Sequence, residues 1–127
     1  MDRREGFPGR LGVRTLRGPR PGTVVVAVSG ELDHDTAAPL REALAAHQGT
    51  GRVVVDCSDL RFCDSTGLNV LLRTRLHMAD AGGRLDLAGL RPPVDRMFEI
   101  TGARSVFRVY DDTAAALADA APVGEEP

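Results

Sequence analysis

Two runs of three valines, Val24-Val25-Val26 and Val53-Val54-Val55, constrain this chain more than any other feature. Each is short, β-branched and apolar without alternation. A strand with one wet face alternates apolar and polar residues; a strand covered on both faces does not. The runs therefore predict two adjacent central strands, the first spanning Val24 to Val28. Between them, Ala37, Leu40 and Leu44 fall on one helical face, after a start at Asp35 or Thr36 and before the break at Gly49-Thr50-Gly51. A strand, a helix and a second buried strand form a βαβ unit, the mark of an α/β sheet with parallel pairs.

The rest of the chain extends that pattern. Leu11 to Arg17 reads as a short edge strand, followed by a turn over Gly18 to Gly22. Gly30 to Asp35 reads as a loop carrying Glu31, Asp33 and Asp35, and Cys57 to Asp64 as a second loop. A helix follows, with Leu68, Leu71, Leu72, Leu76 and Ala79 as its apolar face. Arg84 to Ala88 reads as a strand with Leu85 and Leu87 inward. Pro92-Pro93 opens a short helix closed by Gly102. Val106, Phe107 and Val109 give a last strand, and Asp111 or Asp112 caps an Ala-rich helix to about Ala120. The expected fold is a single α/β domain over 11–120, with a mixed β-sheet of four to five strands and helices packed mainly on one face. Residues 1–10 read as a flexible N-terminal arm and 121–127 as an acidic flexible tail.

Composition narrows the function classes. All sixteen basic residues are Arg, yet the formal net charge is −2, which argues against a general nucleic-acid binder. Trp is absent and aromatics are 4% of the chain, so stacking platforms for bases are not expected. No apolar run approaches the roughly 20 residues of a membrane span, and the N-terminal stretch has no apolar core of a secretion signal. The two cysteines, Cys57 and Cys63, form no CxxC and suit a reducing cytoplasm, with both thiols packed in the core. No metal site, nucleotide loop or cofactor is expected.

The chemistry concentrates in Phe62-Cys63-Asp64-Ser65-Thr66-Gly67-Leu68, between a buried strand and an amphipathic helix. Asp64, Ser65 and Thr66 are all good N-caps, so one reading is a well-capped helix and nothing more. The other uses the same position differently: free N–H groups and the macrodipole favour a phosphate there, and two hydroxyls are available to accept one. Glu31, Asp33 and Asp56 end the neighbouring strands in this reading and gather beside Ser65. Asp33 lies in a polar loop, where truncation is expected to cost little folding energy. A hydrolytic triad of Ser65 with His34 and Asp33 or Asp56 is the enzymatic rival, but the first Gly of a nucleophile elbow is missing.

The ordered set Gly30-Glu31-Leu32-Asp33, Val53-Val54-Val55-Asp56 and Asp64-Ser65-Thr66-Gly67-Leu68 resembles bacterial anti-sigma factor antagonists of the STAS domain family. The likeness runs over about residues 11 to 120. It implies a non-enzymatic regulator that binds an anti-sigma factor with serine kinase activity, is phosphorylated on Ser65 and is reset by a serine phosphatase. It implies a partner-binding surface of Glu31, Asp33, Asp56, Asp64, Ser65, Thr66, Gly67 and Leu68, with no direct contact to nucleic acid or membrane. The alternative within the family is a scaffold or sensor subunit that binds a kinase without a switch at Ser65.

Overall fold

A computed structural model describes residues 10–119. The expected arm, apart from Arg10, and the expected tail lie outside the described residues. Five strands form one sheet: β1 (Leu11–Arg17), β2 (Thr23–Leu32), β3 (Arg52–Cys63), β4 (Arg84–Ala88) and β5 (Val109–Tyr110). Their spatial order is their chain order. β1 pairs antiparallel with β2, and every later pair is parallel, so the sheet is mixed as expected.

Topology explains where the helices lie. The parallel strands are laid down in one direction, and crossovers of constant hand then place every connecting helix on the same face. Accordingly α1 (Ala37–Ala45), α2 (Ser65–Asp80) and α3 (Pro92–Thr101) share the main core with Val26, Val28, Val53, Val55 and Leu87. The short α4 (Thr113–Ala118) follows the last strand and covers the other face, where Ala116 meets Val25, Val54 and Ala88. The valines of β2 and β3 thus alternate between two covered faces. Val25 is 5% exposed, and Val26, Val53 and Val54 are fully buried. Val24 pairs with Val53 and Val26 with Val55, which makes the two runs neighbours.

Four expectations are corrected. Gly30 to Leu32 belongs to β2 and not to a loop, and Cys57 to Asp64 is not a loop either: β3 continues to Cys63, because β2 runs on to Leu32 and pairs with it through Glu31–Phe62 and Leu32–Cys63. The turn-forming Ser58 and Asp59 are absorbed at an irregularity opposite Ala27 and Ser29. The buried stripe of α2 is Gly67, Leu71, Thr74 and Met78, flanked by Leu68 and Val70, whereas Leu76 is 57% exposed. The last strand is only two residues long. A 3₁₀ turn at Ala103–Ser105 precedes it, Phe107 packs 6.1 Å from Phe98, and Val106 faces solvent.

Candidate functional site

Asp64 is the N-cap of α2, so Ser65 is the first helical residue. One carboxylate joins two elements: its Oδ1 accepts from the Gly67 N–H at 3.0 Å, and its Oδ2 from the His34 N–H at 3.2 Å. The Asp64 N–H in turn donates to the Leu32 carbonyl at 3.0 Å. The start of α2 is therefore tied to the C-terminal end of β2 and the loop after it. Asp64 does the capping, and among the described residues no hydrogen bond engages the exposed Ser65 hydroxyl.

Gly67 and Leu68 are buried, and their part in the site is to seat the helix. A Cβ on Gly67 would stand 2.5 Å from Leu32 Cγ and 3.1 Å from Cys63 Sγ, so a side chain has no room. Thr66 is half-buried on the side facing α1. Both thiols are buried. Burial pushes the Cys57 thiol far above its ordinary range and raises Cys63 to about 12, with the Asp64 charge adding to the effect on Cys63.

The acidic loop is an ordered unit. Asp33 Oδ1 accepts from the Asp35 and Thr36 N–H groups at 2.9 and 3.1 Å. Thr36 Oγ1 donates to the Glu31 carbonyl at 2.8 Å. Arg10 closes the unit from outside, donating to Asp33 Oδ2 at 2.7 Å and Glu31 Oε1 at 3.1 Å. The hydrogen bond from Arg10 is the largest cause holding the Asp33 carboxyl below the usual range; burial opposes it and the Asp35 amide supports it. Asp33 thus satisfies backbone donors as well as a guanidinium, and its truncation carries a folding cost that the sequence reading left out.

Glu31, Asp33, Asp64 and Ser65 are brought to one end of the sheet; Asp56 is not. β3 is longer than expected, and at about 3.3 Å per residue it carries Asp56 roughly 20 Å from Cys63. Side chains alternate along the strand, so Asp56 follows Val54 onto the face of α4, away from α2. There it accepts from the Ser58 N–H and hydroxyl at 3.0 and 2.7 Å, beside a cavity of about 350 Å³. Of the acids considered for a triad, Asp56 is remote and Asp33 is committed to Arg10 and backbone amides.

Two residues of this end were missed. Arg10 belongs to the stretch expected as a flexible arm, and only the fold shows it meeting the acidic loop. Phe62, paired in register with Glu31, is 49% exposed and sets an aromatic ring beside the acids. Its signal was available: it lies three residues before Ser65, between the buried Leu60 and Cys63. Among the described residues, no group of His, Cys, Asp and Glu is arranged to hold a metal ion, and no helix is long and apolar enough to cross a membrane.

The site thus sits on a mixed sheet of one antiparallel and four parallel strands, with the exposed Ser65 opening the second crossover helix. The family model described as "Mlab, STAS domain" matches residues 18–108. The chain is 32% identical over 102 residues to the anti-sigma F factor antagonist of Paenibacillus polymyxa, covering 77% of this chain and 86% of that one. It superposes with a TM-score of 0.78 on an anti-sigma factor antagonist from Mycobacterium paratuberculosis, at 28% identity over 88% of this chain and 95% of that one. The Bacillus cell fate determinant SpoIIAA in its phosphorylated form has the same fold, with a TM-score of 0.67, 22% identity and coverage of 84% and 97%. The chain belongs to the STAS domain family of anti-sigma factor antagonists.

Proposed function

We propose that this chain acts in the cytoplasm by capturing an anti-sigma factor with serine kinase activity, and that phosphorylation of Ser65 by that partner ends the capture. A serine phosphatase restores the binding form. The chain's own role is binding, not catalysis. The observation that carries the reading is the exposed Ser65 hydroxyl, held without a hydrogen-bond partner among the described residues at a helix start that Asp64 has already capped.

The electrostatics support a switch by charge. A phosphoserine adds about −1.5 to −2 charges and three acceptor oxygens. At Ser65 it stands next to the Asp64 carboxylate, which already takes the Gly67 N–H. The same end of the sheet carries Glu31 and Asp33. The new charge gains N–H groups of the helix start yet meets acidic neighbours, and a partner seated there meets repulsion and a group costly to desolvate. No refolding is required. One protein of this fold exists in a phosphorylated form, which supports compatibility of the fold with the modification.

The test is incubation with purified serine-kinase anti-sigma factors and ATP, read by intact mass and fragment mapping. One phosphate on Ser65, with weaker binding afterwards, supports the switch. Ser65→Ala should fold, bind and accept no phosphate. Stable binding without any mass shift points instead to a scaffold. A Ser65→Ala protein phosphorylated as well as wild type ends the assignment.

A further inference from the structure

α1 and α2 lie side by side, and a cleft of about 310 Å³ opens between them. Val70 and Thr74 form its buried floor, and Arg41 from α1 and Arg73 from α2 stand exposed at its rim. Thr66 closes the end nearest Ser65. Among the described residues no carboxylate lines the cleft. Among the described residues neither Arg41 nor Arg73 has an ion-pair partner, although the chain as a whole is net acidic.

Helical spacing links this cleft to the serine. Ser65, Asn69 and Arg73 recur every four residues along α2 and form one stripe, with Asn69 lining the cleft. The surface is thus bipolar. Its acidic end holds Glu31, Asp33 and Asp64, and its basic groove starts one residue from Ser65.

We propose that the cleft is a docking groove for an acidic segment of the kinase partner. The inference rests on the reading of Ser65 given above and adds the chemistry of recognition. Two unpaired guanidiniums over a narrow, partly apolar floor fit a carboxylate-bearing peptide, which Arg binds in bidentate geometry. The opposite signs of groove and acidic end fix the orientation of the partner. A phosphate on Ser65 then stands at the mouth of the groove, as a like charge to the segment that has to enter it.

The experiment measures affinity of the full chain for the purified kinase anti-sigma factor that phosphorylates it, with a non-hydrolysable ATP analogue and about 50 mM salt, where screening is weak. Arg41→Glu and Arg73→Glu are compared with Arg20→Glu, which makes the same charge change in the turn before β2, at the other end of that strand. Both groove variants should weaken binding by at least about fivefold, with a smaller salt dependence, while Arg20→Glu stays near wild type. Thermal melts should be unchanged, since both groove arginines are exposed. A smaller loss in the groove variants, or an equal loss in Arg20→Glu, overturns the groove while leaving the Ser65 reading intact. Failure of every kinase anti-sigma factor to bind wild-type protein overturns both.

Discussion

Gly67→Ala tests whether the helix that carries Ser65 is seated by steric fit. In an ordinary helix interior the change is favourable by about 0.5–1 kcal/mol. Here the new methyl would stand 2.5 Å from Leu32 Cγ and 2.7 Å from Leu32 Cδ2. Carbon atoms prefer roughly 3.5–4.0 Å, so something must move by about 1 Å. Leu32 cannot yield outward: it is fully buried and held by β2–β3 pairing opposite Cys63. Overpacking of this kind costs about 1–3 kcal/mol, which outweighs the helical gain at this first-turn position. The expected net loss is about 1–2 kcal/mol. Urea unfolding should show a midpoint lower by roughly 1 M with an unchanged slope. A cycle with Leu32→Ala isolates the cause, because that truncation removes both clashing atoms. The double variant should lose less than the sum of the single losses. Stability equal to or above wild type in Gly67→Ala, or strict additivity in the cycle, refutes the packing argument.

Asp64→Ala should lower stability by about 0.5–2 kcal/mol through loss of the cap, with an added effect from the unpaired His34 N–H, measured by urea or heat. Because the folded-state pKa of Asp33 is depressed, its ion pair contributes above the ordinary carboxylate range near pH 4 and loses that contribution as pH falls through the lower folded value. The gap between melts of wild type and Asp33→Asn should therefore be full at pH 6, start to narrow only below about pH 4 and close below the depressed folded value, whereas a constant gap would assign the effect to geometry alone. Neither Cys57 nor Cys63 should react with a thiol reagent at pH 8 in the native state, and both should react after unfolding. Rapid labelling of folded protein would contradict their burial.

What the sequence revealed was local, and what it concealed was not. The valine runs carry their burial on both faces in their own composition, and Pro92-Pro93 with Gly102 mark both ends of α3. The continuation of β3 was hidden because Ser58, Asp59 and Asp64 have turn chemistry, and only pairing with the far half of β2 overrides it. Asp86 looked like the wet face of an alternating strand. It is buried instead, with Arg52 Nε at 2.9 Å and Arg84 Nε at 3.0 Å, the first from a neighbouring strand that no local pattern names. Arg10 escaped for the same reason, since its partners lie more than twenty residues away. The placement of Asp56 failed with the strand that carries it. The start of α2 was legible because one short motif contains both the cap and the hydroxyl. The structure divides those duties between adjacent residues. Had Ser65 supplied the cap, a phosphate would have displaced the bond that starts the helix, and modification would have been coupled to unfolding. With Asp64 holding the Gly67 N–H, the charge on Ser65 can change while the helix start stays in place. For the proposed switch, that separation means a change of surface charge without a second fold.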